Sequence, residues 1–201
     1  MAKIKHTKNE LKAQRDALAR FERYLPTLTL KKQQLQMEVR QLEAKLRAQQ
    51  EEADQFEAGL DSWIGLFTEA FDWAPLLEPA RLDIEEGNVA GVNIPILQAV
   101  EFGGAWPDAF DSAAWLDDGI AALRHAVSLQ LTRLVLEEAL RRLREELRVT
   151  TQRVNLFEKV KIPECREHIR VIRIFLGDQQ TADVVRGKIA KKKTVTRESA
   201  A

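Results

Sequence analysis

An apolar residue recurs every three or four positions over nearly sixty residues, and no other feature restricts this chain as much. The run reads Leu11, Gln14, Leu18, Phe21, Leu25, Leu28, Lys32, Leu35, Val39, Leu42, Leu46, Gln49, Ala53, Phe56, Leu60, Trp63 and Phe67; only Gln14, Lys32 and Gln49 break it. A seven-residue repeat places one narrow stripe along an α-helix. Such a helix would be roughly 85 Å long at about 1.5 Å per residue. A stripe so narrow cannot be buried by the helix that carries it, so a second long helix must cover it. Thr7-Lys8-Asn9-Glu10 supplies the start, in the pattern of a capping box.

The second helix lies toward the C-terminus. Its apolar positions include Leu116, Ile120, Leu123, Val127, Leu134, Leu136, Leu140, Leu143, Leu147, Val154 and Phe157. They continue through Ile162, Cys165, Ile169, Ile172 and Leu176. The spacing slips near Leu134–Leu136 and again near Phe157–Ile162, changes that alter supercoiling without ending a coiled coil. Pairing within one chain must be antiparallel. If Phe67 faces Leu116, paired residue numbers sum to 183. Pro26 then falls near Phe157 and Pro163 near Arg20, which predicts a shared kink where each proline removes a helical hydrogen bond. The expected seam is Leu35, Val39, Leu42 and Leu46 against Leu140, Leu143, Leu147 and Val154.

Residues 72–115 change character. Pro75, Pro79, Pro95 and Pro107 fall here with Gly87, Gly91, Gly103 and Gly104. β-Branched residues flank Gly87–Gly91 and predict a short β-hairpin. Trp63, Trp73, Trp106 and Trp115 lie in or beside this region. The fold expected is all-α: a long antiparallel two-helix coiled-coil hairpin with a small central foot holding the β-hairpin. Its parts are a first helix over 1–71, the foot over 72–115, a second helix over 116–193 and a disordered tail over 194–201.

Formal net charge is zero, yet charge is sharply divided. Residues 51–118 carry 16 acidic side chains against one basic, Arg81. Such a division suits two different partners. Asp83, Glu85 and Glu86, with Trp73 and Trp106, are candidate contacts of the foot. Lys3, Lys5, Lys188, Lys191, Lys192 and Lys193 form a basic tip. No aromatic residues interleave with those lysines as a nucleic-acid stacking platform needs, so no nucleic acid is expected as partner, and a protein cavity suits the tip as well or better. The one cysteine, Cys165, cannot form an internal disulfide, and its place on the stripe reads as packing. His6, His125 and His168 lack metal-ligand spacing, and no glycine-rich phosphate loop is present. No catalytic constellation, metal or cofactor is expected. No apolar run reaches the roughly 18 residues of a membrane span.

Specific strings then bring a family into view. Arg153-Val154-Asn155, followed by Glu158 and Ile162-Pro163, resembles the signature of the D subunit of V-type (A/V-type) ATPases and ATP synthases. Asn88–Pro95 resembles that family's central hairpin, and TKNELKAQRDALARFERYLPTLTLKKQQL its first helix, particularly of the bacterial branch. The resemblance runs from about residue 3 to 193. It implies a central-stalk rotor, an axle without a nucleotide site, coupling ATP synthesis or hydrolysis to proton or sodium transport through a membrane ring. The partners it implies are the A and B subunits of the catalytic ring, the F subunit of the stalk and the cap subunit on the membrane ring. It places the chain peripherally at the cytoplasmic face of the membrane. A free-standing coiled-coil tether or chaperone with oppositely charged ends is the alternative.

Overall fold

A computed structural model of the chain describes residues 4–68, 72–104 and 113–198, with side chains as far as residue 193. Helix α1 spans Lys8–Leu60, and a 3-10 turn, Ile64–Thr68, follows it. The short α2, Ala74–Leu77, leads into strands β1, Pro79–Val89, and β2, Val92–Phe102. Helix α3, Leu116–Leu156, passes through a π turn, Phe157–Lys161, into α4, Ile162–Glu198. The fold is the expected pair of antiparallel long helices with a two-stranded sheet. Its contacts group into two units, residues 31–149 and residues 1–30 with 150–201.

In the unit of residues 31–149, Leu35, Val39, Ala139, Leu140 and Leu143 are buried together, with Leu42, Leu46 and Leu147 packed partly buried against them. Gln50 accepts from Arg133 at 3.3 Å, on the 183 relation, and Phe56 meets His125 two residues off it. Leu134 does not join the seam; it is half exposed, while Leu129 is buried. The change of register therefore lies before Leu129 and not at Leu134–Leu136. A second correction concerns the end of α1. The α-helix stops at Leu60, so Trp63 and Phe67 sit beyond it, yet their rings still pack at 5.2 Å. Phe67 also meets Trp115 edge-on at 5.4 Å, next to Leu116.

The expected hairpin is present, with strands of eleven residues each. Its turn is Ala90-Gly91, with φ of 51° and 81°. Two successive positive φ values give the backbone twist that joins two antiparallel strands tightly, and glycine reaches that region without strain. Asn88 Oδ1 accepts from the Gly91 amide at 3.1 Å, and Asn88 Nδ2 donates to Asn93 Oδ1 at 2.7 Å. Ile94, just after the turn, is buried among Leu35, Val39, Leu140 and Leu143. The hairpin tip thus packs against the seam. Eleven residues of strand cover about 36 Å, and α1 from Val39 to Leu60 covers about 32 Å, so the two lengths match.

In the unit of residues 1–30 and 150–201, Val154, Ile162, Cys165, Ile169 and Ile172 are buried, as is the polar Thr150. Thr7 Oγ1 accepts from the Glu10 amide at 3.2 Å, half of the expected capping box. The other half is replaced: the Thr7 amide donates to Lys5 O, and Glu10 is engaged by Gln14 Nε2. Phe21 packs on Phe157 at 4.9 Å, His6 on Phe175 at 4.7 Å, and His168 Nδ1 lies 3.4 Å from Gln14 Oε1. Pro26 lies inside α1, where the hydroxyls of Thr27 and Thr29 donate to the carbonyls of Tyr24 and Leu25.

The slip read near Phe157–Ile162 takes the form of the π turn. Leu143, Leu147, Thr150 and Val154 set a rhythm that would continue to 157, 161 and 164. The buried positions that follow are Ile162, Cys165, Ile169 and Ile172, one residue later. A π turn takes up one additional residue, and the Ile162 amide bonds Phe157 O five residues back. Pro163, which has no amide hydrogen to offer, stands immediately after it. The helix assigned to α4 reaches Glu198, within the stretch read as a tail.

Leu143→Ala is expected to cost about 2–5 kcal/mol in urea unfolding, as for large-to-small changes in a closed core. Leu134→Ala should stay within about 0.5 kcal/mol. Equal losses would place both side chains on the seam.

Candidate interaction surfaces

The residues flanking the seam carry the chain's charge. In the unit of residues 31–149, Lys31 pairs with Glu146 at 2.6 Å and Arg144 with Glu43 at 2.7 Å. Arg166 pairs with Glu22 at 2.8 Å in the other unit. Exposed pairs of this kind add little stability, but like charges opposed in a slipped register would repel, so they favour one alignment. Arg148 with Glu145 and Arg170 with Glu167 are pairs within one helix.

Glu138 organises the latch of the hairpin tip. Its carboxylate accepts from Arg141 and from Arg142, each at 2.7 Å. Arg142 Nη1 also donates to Asn93 O of β2 at 3.2 Å. The hydrogen bonds from Arg141 and then Arg142 lower the Glu138 pKa to about 2. Arg124 makes a similar clamp at the other end of the hairpin. Its Nε donates to Leu76 O at 2.9 Å, its Nη2 donates to Gly103 O at 2.8 Å, and its guanidinium lies over the Phe102 ring. Neither arginine was a candidate from sequence. Arg142 was legible only as a helix pair with Glu138, because Asn93 is 49 residues away.

The acidic residues read as foot contacts lie on β1: Asp83, Glu85 and Glu86 are all exposed. Glu85 accepts from Gln98 at 2.9 Å across the hairpin. Trp73 is half-buried against Phe67 and Trp115, in a cluster with Leu76, Leu116 and Ile120. Trp106 lies outside the described residues.

The family-like string occupies both sides of the π turn. Val154 and Ile162 are buried, while Arg153, Asn155, Glu158 and Pro163 are exposed. Its apolar members thus hold the seam where the register changes, and its polar members face outward. Burial pushes the Cys165 thiol upward in pKa, with Glu164 adding to the effect, so the thiol stays protonated.

Lys5, Lys188, Lys191, Lys192 and Lys193 are exposed; Lys3 lies outside the described residues. They do not form one cluster along the helix. Lys5 adjoins His6, which packs on Phe175, and Lys188 is thirteen residues farther along α4, about 20 Å of helix. Among the described residues, no group of side chains could hold a metal ion and no helix is long and apolar enough to cross a membrane.

Because the ionised Glu138 is the favoured form, its contribution is present above the ordinary carboxylate range, near 4.5, and is lost as pH falls toward 2. Arg141→Ala should move the Glu138 carboxyl upward in an NMR titration. A carboxyl that still titrates near 2 would show that Arg142 alone holds it.

Comparison with known proteins agrees across nearly the full chain. The family of ATP synthase D subunits matches residues 10–192. The D subunit of the V-type ATP synthase of Borreliella burgdorferi is 43% identical over 195 residues, 97% of this chain and 96% of that protein. A protein of the same description from Chlamydia muridarum is 36% identical over 197 residues, 96% of each chain. One from Chlamydia pneumoniae is 37% identical over 204 residues, 98% of this chain and 95% of that one.

Proposed function

We infer a rotor role from one premise: the chain belongs to the family of ATP synthase D subunits. It is one of the subunits of a V-type ATPase or ATP synthase. Within that machine we assign it the central stalk, as the non-catalytic axle that couples ATP turnover in the ring of A and B subunits to proton or sodium movement through the membrane ring. The match over residues 10–192 is the observation that carries this reading.

The physical features support it. Torque must pass along elements that resist twisting, and two helices locked by a shared apolar seam resist it better than one. An axle that turns must not be held at one angle by deep, specific pockets. The exposed faces of α3 and α4 carry arginines and lysines, whose attraction to passing carboxylates is graded with distance and easily exchanged. The basic residues 188–193 are assigned to the cavity of the A/B ring. The acidic hairpin, with Asp83, Glu85 and Glu86, is assigned to basic surface on the F subunit or on the cap subunit. The chain would then be peripheral, at the cytoplasmic face of the membrane.

The assembled complex should contain one copy of this chain per three A and three B subunits, measured by native mass spectrometry. A chain recovered free or as a dimer would favour the tether. Reversing Asp83, Glu85 and Glu86 to lysine should weaken capture of the F and cap subunits, most strongly at low ionic strength. Unchanged capture removes the acidic hairpin from the docking surface. Pro26→Ala tests whether a bend in α1 helps to press on successive A/B pairs. Coupling of ATP hydrolysis to ion movement should fall, and unchanged coupling would count against the bend.

A further inference from the structure

The hairpin is the only sheet among the described residues, and it has two strands. Every other backbone amide and carbonyl of an edge strand points away from its partner. On β1 that outer edge is regular. The register shifts skip Ala80 on β1 and Gln98 on β2, so Arg81–Val89 carries no extra residue of its own. Side chains 80–86 are all exposed. β2 is the more engaged strand: Ile94 is buried in the seam and Arg142 donates to Asn93 O, while β1 reaches the seam at its turn end through Val89.

Two further observations bear on what the edge accepts. Leu82 and Ile84 are 42% and 46% exposed, and they share a face with their cross-strand partners Val100 and Leu97. Glu86 shares that face, while Asp83, Glu85 and Glu101 lie with Arg81 on the other, so the edge is strongly acidic. Charged residues on an edge ordinarily guard against self-pairing, and two copies of this edge would repel one another. The same charge favours a basic strand, and guarding alone does not account for exposed leucine and isoleucine.

We propose that β1 is a docking edge, completed by an extended segment of another chain that alternates apolar with lysine or arginine residues and adds a third strand. Main-chain hydrogen bonds would supply affinity, and Leu82 and Ile84 on one face with Asp83 and Glu85 on the other would supply selectivity. The proposal rests on the reading of the chain as part of the stalk and names how the acidic hairpin docks.

The test is hydrogen exchange of backbone amides in the full chain, free and within the assembled V-type complex. Alternate amides between Arg81 and Val89 should slow by roughly tenfold or more on assembly. Glu85→Lys with Glu86→Lys, on exposed positions that should not disturb folding, should reverse that slowing, as should Ile84→Lys. If the complex assembles with one copy of the chain and these amides exchange as in the free chain, the docking edge is wrong while the rotor reading stands. Equal slowing of every amide in the segment also overturns it, since that reports covering without strand pairing. If the chain never assembles with A and B subunits, both fall together.

Discussion

Burial of one narrow apolar stripe against another is the interaction on which the rest depends. Paired helices form a thin core, a line of side chains with water on both sides. At Leu35 and Leu143, both fully buried, a third element adds to the cover: the hairpin brings Ile94 onto the same cluster. The core is thickest where strand and helices meet. The charged latch of Glu138 and Arg142 lies at that meeting, and the Arg124 clamp holds the hairpin's other end. Were the seam to slip by one residue, the site that receives Ile94 would move with it.

The π turn is the second constraint. A heptad rhythm can change phase only by adding or losing residues, and a helix can add one without breaking by widening a turn. Phe157–Lys161 does this, and Pro163 follows at a place where the missing amide hydrogen costs least. The string Arg153-Val154-Asn155, Glu158 and Ile162-Pro163 spans this turn. Its resemblance to a family signature therefore has a structural counterpart: it is where two stretches of seam are brought into phase.

Much of this was legible in the sequence, for reasons that differ by element. The seam was readable because helical periodicity is local and repeated many times; Leu35, Val39, Leu140 and Leu143 follow from spacing alone. Antiparallel pairing followed from chain connectivity, and the 183 relation from a single assumed contact. Leu134 was misplaced because Leu134, Val135 and Leu136 are consecutive apolar residues, among which spacing does not choose. The seat of Ile94 was hidden, since nothing local tells a hairpin strand which helix it will meet. Arg124 and Arg142 were missed for the same reason: their partners are backbone carbonyls, and any residue supplies those. Lys5 and the lysines from 188 to 193 were joined because antiparallel pairing brings both chain termini to the same end, but α4 runs well past the residue that meets His6.

Under the rotor role proposed above, these features would share one purpose, the carrying of torque along locked helices. Rotation itself is the most direct measurement. Ser62 is exposed and the chain's one cysteine is buried, so Ser62→Cys offers a single reactive thiol for a bead while the A/B ring is fixed to a surface. Addition of ATP should turn the bead continuously in one direction. A bead that only fluctuates about one angle, in complexes that still hydrolyse ATP, would contradict the account.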